Sequence, residues 1–367
     1  MIRVLVVDDS AVVRHMLHAL LGGEADMTVV GMAGDPFEAR ELIVATRPDV
    51  ITLDIQMPRM DGLSFLRRLM TYHPLPVVIL SSVAPENSDS AMLALELGAI
   101  EVVGKPKGDT DGAQFRRVLT TAVRAAARAR LMPLPRTGPK PAVPRQARSL
   151  GPDLVAIGAS TGGIRAIEAV LQQFPADAPP CLIVQHLPPQ FTSSFAARLD
   201  TLSRMTVREA RHGERLGTGV ALVAPGDRHM LVGGDEGGYT IRLSDAPRVH
   251  HQRPAVDVLF DSVAAMAGPR AAAALLTGMG SDGARGLMRI REEGGFTVAE
   301  SEETCVVYGM PRKAVDLDAA SRVAPLQDIA AALLGGLHRG RRGPDLSTAT
   351  TGGGTDSDSS PPGPGRY

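Results

Sequence analysis

Residues 153–164 read Asp-Leu-Val-Ala-Ile-Gly-Ala-Ser-Thr-Gly-Gly-Ile, and how they fold decides the architecture around them. Leu154 to Ile157 form a short apolar run, Gly158 to Gly163 a glycine-rich turn, and Ile164 to Phe174 carry apolar residues at helical spacing. The pattern predicts a strand, a tight loop and a helix, with Ser160 at the rim of the loop. Such a loop has three uses: it cradles a phosphate on backbone N–H groups, allows close packing, or holds out a nucleophile. What the other strand ends bring to it decides among them.

Working outward, residues 154–157, 181–184, 220–223, 271–276 and 297–299 read as strands separated by helical segments. The first part of the chain repeats the theme at 3–7, 28–32, 50–53, 77–80 and 102–103. The expected fold class is therefore α/β, with two doubly wound parallel-sheet domains joined by a linker. We expect a first domain over 1–125, a linker over 126–152, a second domain over 153–338 and a disordered tail over 339–367. Five prolines between Leu131 and Pro144, and nine basic but no acidic residues between Gly112 and Pro152, describe a semi-rigid basic spacer. The tail is dominated by Gly, Ser, Thr, Pro and Asp, which cannot bury enough apolar surface to fold.

The 367 residues are 44% hydrophobic and 22% charged, a soluble globular composition, and the net charge of −1 supplies no field toward nucleic acid or membrane. Residues 153–338 hold 17 basic and 21 acidic side chains, the wrong sign for a DNA-reading module. Aromatics at 3% leave little surface for base stacking. The N-terminus reads as a strand ending in two aspartates and not as a signal peptide, and no apolar stretch approaches the roughly 20 residues of a bilayer span. Cys181 and Cys305 lie in apolar runs, as buried thiols do in a reducing compartment. A cytoplasmic protein with no nucleic-acid partner and no membrane insertion is expected.

In a doubly wound sheet the loops at the carboxyl ends of the strands share one crevice. The first domain places Asp8 and Asp9, Asp54, Ser81 and Lys105 at those ends. A single aspartate after a strand is most simply a helix cap. Three together repel unless a cation joins them, and a hard ion such as Mg²⁺ suits oxygen ligands. Lys105 can offset further negative charge, such as a phosphoryl group on a carboxylate.

The motifs V-L-V-V-D-D-S, L-D-I-Q-M-P-R-M-D-G, V-I-L-S-S and L-G-A-I-E-V-V-G-K-P make residues 1–125 resemble the receiver domain of bacterial response regulators. The resemblance implies a flavodoxin-like strand order and Asp54 as phosphoacceptor. It implies Mg²⁺ held by Asp9, Asp54 and the Gln56 carbonyl, with Asp8 helping through water. Ser81 would bond the phosphoryl group and Lys105 would pair with it. Val102 stands where many receivers carry Tyr or Phe, so the aromatic swing that often couples phosphorylation to output has no ring here.

In the second domain Gly158-Ala159-Ser160-Thr161-Gly162 has the G-x-S-x-G spacing of a nucleophile elbow, while no Gly-Lys-Ser/Thr accompanies it as a phosphate loop requires. The strand at 181–184 runs into His186, and that at 271–276 into Asp282. A hydroxyl needs a base to take its proton, and the base needs a third group to fix its tautomer. Serine, imidazole and carboxylate meet that need, and glycines near Thr161 and Met279 free backbone N–H groups for an oxyanion. The chain order Ser, His, Asp differs from that of α/β-hydrolases. Asp227, His229, His250 and His251 are competing candidates, for which surface or structural roles are the commoner case.

The motifs G-A-S-T-G-G, V-Q-H-L-P, A-P-G-D-R-H-M, R-P-A-V-D-V-L-F, L-L-T-G-M-G-S-D-G-A and E-E-T-C-V-V-Y-G-M-P make this half resemble the chemotaxis protein-glutamate methylesterase (CheB) family, whose architecture is a receiver followed by such a domain. Ser281 replaces the family's usual Asn before the acid. The resemblance implies a Rossmann-like domain with Ser160 as nucleophile, His186 as base and then acid, Asp282 as orienting carboxylate, and Thr161 and Met279 at the oxyanion site. No cofactor is expected for the esterase reaction. The implied activity is phosphorylation-stimulated hydrolysis of glutamate γ-methyl esters, with glutamine deamidation, for sensory adaptation. Chemotaxis receptors would be the substrates and a histidine kinase the phosphodonor. The rival reading is a response regulator whose second domain only binds a nucleotide or partner, its glycine loop serving packing.

Overall fold

The computed structural model describes residues 1–57, 61–81, 88–106, 112–131, 154–235 and 238–339. The proline-rich part of the expected linker and the expected tail beyond Arg339 lie outside the described residues, as does the Pro58-Arg59-Met60 portion of the third-strand motif.

The N-terminal unit alternates β1 (Ile2–Val7), α1 (Ala11–Gly22), β2 (Met27–Ala33), α2 (Pro36–Thr46), β3 (Val50–Asp54), α3 (Gly62–Tyr72), β4 (Val77–Ser81), α4 (Ser88–Glu96), β5 (Glu101–Gly104) and α5 (Gly112–Ala127). Its strands form one parallel sheet in the order β2-β1-β3-β4-β5, the flavodoxin-like order. Every residue of β3 and β4 is buried, which is why their sequences are continuous apolar runs without alternation. The chain leaves β1 for one side and returns to the other, opening a crevice at the ends of β1 and β3.

The second unit comprises β6 (Leu154–Ala159), α6 (Gly163–Leu171), β7 (Cys181–Gln185), α7 (Pro189–Leu202), β8 (Thr206–Glu209), β9 (Val220–Val223), β10 (His229–Asp235), β11 (Gly238–Ser244), α8 (Val256–Ala267), β12 (Ala271–Leu275), α9 (Ala284–Glu292), β13 (Phe296–Glu300), α10 (Met310–Asp316), β14 (Arg322–Ala324) and α11 (Leu326–Arg339). Among the described residues seven parallel strands run in the order β14-β13-β12-β6-β7-β9-β8, and β10 and β11 form a separate antiparallel hairpin. The strand order reverses at β6, between β12 and β7. Four of the five residues of β12 are alanines, poor strand formers, yet all are fully enclosed between neighbours.

Three features depart from the sequence reading. β6 continues through Gly158 and Ala159, because these residues still pair with Leu275 of β12 and with Val184 and Gln185 of β7. β8 and β14 are short edge strands with one buried residue each, so they present no apolar run. The β10–β11 hairpin was likewise not anticipated.

The two units pack through α4, which lies against α6 and α7. Arg198 of α7 pairs with Glu96 of α4 and with Glu168 of α6. Arg130, just past α5, pairs with Glu302 at 2.9 Å, and its backbone N–H donates to the Val306 carbonyl at 2.9 Å. Among the described residues no helix is long and apolar enough to cross a membrane.

Gly158 shows how tightly the centre is built. A Cβ there would stand 2.2 Å from Cγ1 of Val256, at the start of α8. Valine is stiff at χ1 and buried, so it cannot swing away. Gly158→Ala should therefore lower unfolding stability by about 1–3 kcal/mol, measured as a lower urea midpoint with an unchanged m-value.

Candidate active site

Ser160, His186 and Asp282 follow β6, β7 and β12, the three strands that meet at the reversal of the sheet. Ser160 Oγ lies 3.1 Å from His186 Nδ1, and His186 Nε2 lies 2.8 Å from Asp282 Oδ2. The structure thus brings together the three groups singled out in the sequence. With Asp282 ionised, the proton on Nε2 points to the carboxylate, which leaves Nδ1 free to accept from the serine hydroxyl.

The loop that carries Ser160 is fixed on all sides. The Ser160 N–H donates to the Thr277 carbonyl at 3.0 Å, and Gln185 Nε2 donates to the Ser160 carbonyl at 2.8 Å. Gly162 adopts φ 78°, the left-handed region, and caps α6. Gly163 lies so close to Gln185 that a Cβ would stand 2.1 Å from its Oε1. Thr277 Oγ1 donates to the Thr161 carbonyl at 3.0 Å and accepts from the Val307 N–H at 2.9 Å. Glu300, fully buried, accepts from the Thr277 N–H at 2.8 Å and from Thr304, and burial pushes its carboxyl upward from the ordinary range. Gln185, Thr277 and Glu300 were not singled out in the sequence; Gln185 and Glu300 end β7 and β13, and Thr277 follows β12.

Asp282 is buried, which taken alone would raise its carboxyl. The hydrogen bond from His186 and the N–H groups of Asp257 and Val256 outweigh burial and hold it below the usual range. The Val256 N–H donates to Oδ2 at 2.8 Å and the Asp257 N–H to Oδ1 at 2.9 Å. The first turn of α8 thus grips the carboxylate where helix-terminal N–H groups favour negative charge.

Thr161 is buried and Met279 lines a cleft of about 370 Å³ with Gly280, Tyr308 and Arg130. Ser160 opens instead into a small recess walled by Gly162, Arg165 and Gln185 on one side and by Leu95, Ala99 and Glu101 of the N-terminal unit on the other. Glu101 accepts a hydrogen bond from the Thr161 side chain, and burial at the junction outweighs that bond, pushing its carboxyl up to about 7. Glu101 was not singled out in the sequence. It lies in a motif that reads as a receiver strand, and only the packing of the two units gives it this place.

The competing residues are accounted for. His229 is buried, accepts from the Ala255 N–H at Nδ1 (3.2 Å) and contacts the Pro247 carbonyl through Nε2 (3.1 Å), which makes it a structural bridge. Asp227 is held by Arg248 and Arg253 at 2.6 and 3.0 Å. His251 is exposed, and His250 pairs with Asp257 at 2.8 Å.

In the N-terminal unit Lys105 Nζ lies 2.7 Å from Asp8 Oδ2 and 2.8 Å from Asp54 Oδ2. Ser81 is buried at the end of β4, where its carbonyl accepts from the Lys105 N–H at 2.8 Å. The Gln56 N–H lies 3.3 Å from Asp54 Oδ1. Burial pushes the Asp54 carboxyl up despite Lys105, and the lysine is raised because its two carboxylate partners outweigh its own burial. One oxygen each of Asp8, Asp9 and Asp54 lies within 4.8 Å of the others. Three clustered carboxylates, of which Lys105 meets only Asp8 and Asp54, are short of positive charge, and an all-oxygen donor set of this kind fits a hard divalent cation. Val102 is buried in β5.

Comparisons with known proteins identify the family. A family model described as CheB methylesterase matches residues 155–333, and one described as response regulator receiver domain matches residues 4–114. The protein-glutamate methylesterase/protein-glutamine glutaminase 2 of Pseudomonas aeruginosa is 50% identical over 337 residues, covering 91% of this chain and 96% of its own length. The protein-glutamate methylesterase/protein-glutamine glutaminase of Chromohalobacter salexigens is 48% identical, covering 91% and 95%. The crystal structure of the Thermotoga maritima CheB methylesterase catalytic domain matches 51% of this chain and 99% of that domain, with a TM-score of 0.50 and 37% identity. The chain belongs to the CheB methylesterase family, with a response regulator receiver domain preceding the methylesterase domain.

Proposed function

We propose that this protein hydrolyses glutamate γ-methyl esters on chemotaxis receptors, and deamidates receptor glutamines, under control of phosphorylation at Asp54 by a histidine kinase. The observation that carries the reading is the unbroken Ser160–His186–Asp282 hydrogen-bond chain at the sheet's reversal point. In this reading Ser160 Oγ attacks the ester carbonyl while His186 Nδ1 takes its proton. The oxyanion that forms is met by donors near Thr161 and Met279. His186 then returns the proton to the departing methoxide, releasing methanol and leaving a γ-glutamyl ester on Ser160. Water, deprotonated by the same imidazole, hydrolyses that ester to the free carboxylate and restores the serine. A primary amide follows the same course with ammonia as the leaving group.

For the receiver, Mg²⁺ supplies the charge that lets a phosphoryl group approach the acidic pocket. Asp9, Asp54 and the Gln56 carbonyl would hold it, with Asp8 through water. Lys105 and Ser81 are the partners available to the phosphoryl group. The restraint on activity is read from the junction: Glu101 of β5 leans on Thr161, beside the nucleophile, and α4 is tied to α7 through Glu96 and Arg198. Charge added at Asp54 biases this packing toward release, exposing the recess to a receptor helix. Sensory adaptation follows from such control.

Ser160→Ala should abolish methanol release from methylated receptor while the circular dichroism spectrum is unchanged, and full release in that variant would remove the triad from the mechanism. Asp54→Ala should eliminate stimulation by a small phosphodonor and spare the basal rate. Glu101→Ala should raise the unphosphorylated rate by roughly three- to tenfold, the effect of losing one ordinary hydrogen bond; an unmoved basal rate would show that Glu101 does not restrain the site.

A further inference from the structure

Behind Asp282 lies a second acid–imidazole pair that the reaction as described does not use. His250 Nε2 is 2.8 Å from Asp257 Oδ2, and Asp257 Oδ1 accepts from the Gly286 N–H at 2.8 Å. A nitrogen of His250 and one oxygen each of Asp257 and Asp282 lie within 4.8 Å of one another. Asp257 and Asp282 are 6% and 2% exposed, so two carboxylates stand side by side with little solvent to screen them. Every carboxylate oxygen of the pair already accepts a hydrogen bond from an N–H group, which describes a charge-compensated network and leaves no oxygen turned toward a bound cation. Both His250 and His251 sit at positive φ, 51° and 63°, an uncommon backbone for histidine that turns the His250 ring onto α8.

We propose that His250 and Asp257 are positioning residues, a second imidazole–carboxylate couple that holds Asp282 in place and sets the charge His186 experiences. The couple works through α8. Asp257 donates its own N–H to Asp282 while its side chain is anchored to His250 on one loop and to Gly286 on α9. By donating its Nε2–H to Asp257, His250 draws off part of the second negative charge beneath the imidazole of His186. The other charged groups around it are engaged elsewhere: Asp261 pairs with Arg289, Asp227 with Arg248 and Arg253, His229 bridges Ala255 and Pro247, and Arg285 is exposed on α9.

The inference rests on the triad reading, and the test separates the two. The full chain, stimulated by phosphodonor, is assayed for methanol release from methylated receptor across pH, and the acid limb of kcat/KM is fitted. His250→Asn, chosen because Asn tolerates the left-handed backbone, removes the imidazole N–H from Asp257; the limb should move up by about half to one pH unit, since a less compensated carboxylate favours the imidazolium of His186. Asp257→Asn keeps the shape but removes the charge, and should move the limb down. Opposed shifts support the couple. Limbs that stay put, or that move together, overturn it, whatever the change in kcat. Ser160→Ala is run alongside: residual full activity there would sink the triad itself, whereas an inactive Ser160→Ala with unmoved limbs sinks only the couple. Where Asp257→Asn does not fold, the His250→Asn limb alone decides.

Discussion

The arrangement depends on one buried carboxylate. Asp282 is 2% exposed, and a charge so far from water is tolerated only if its oxygens are fully met. Two backbone N–H groups from the first turn of α8 and one imidazole meet them. That requirement fixes where α8 begins. Val256, whose N–H holds Asp282, is also the residue whose side chain fills the space above Gly158. A single position therefore couples Asp282 to the strand that presents Ser160, and the glycine is needed because the valine is there.

The two units apply the same construction to different chemistry. In each, a parallel sheet reverses direction beside its first strand, and side chains at the carboxyl ends of the adjoining strands converge. In the receiver the convergence is of like charges, with Asp8 and Asp54 sharing Lys105, and the result is a pocket whose carboxylates remain under-compensated. In the methylesterase unit it is of complementary groups, a hydroxyl, an imidazole and a carboxylate linked in sequence. The first suits an added cation and phosphoryl group. The second forms one continuous hydrogen-bond chain.

How much of this was legible in the sequence follows from the range of the interactions involved. Central strands announce themselves as apolar runs because both faces are covered, so the strand ends and the residues just past them could be read: Asp8, Asp54, Lys105, Ser160, His186 and Asp282. Edge elements could not, since β8 and β14 bury one residue each and share their composition with loops. Supporting groups were missed for another reason. Gln185, Thr277 and Glu300 act through bonds to the backbone of loops that follow neighbouring strands, and such bonds depend on register, which no local pattern encodes. The His250–Asp257 couple needed a loop conformation at positive φ that histidine seldom adopts.

The junction between the units bears on how a signal could cross without an aromatic ring at Val102. β5 runs from Glu101 to Gly104, with Lys105 immediately after, and side chains alternate along it. Val102 is buried in the receiver core while Glu101 turns outward onto Thr161. One end of the strand thus touches the esterase loop, and the other carries the lysine that binds Asp8 and Asp54. At about 3.3 Å per residue the separation is only on the order of 13 Å. A buried valine, stiff at χ1, cannot relay a rotation across that distance, but the strand can shift as a unit with α4, which packs on the same methylesterase helices. Under the proposed control by phosphorylation, β5 and α4 are the elements placed to carry the coupling, and a ring swinging at position 102 is not required.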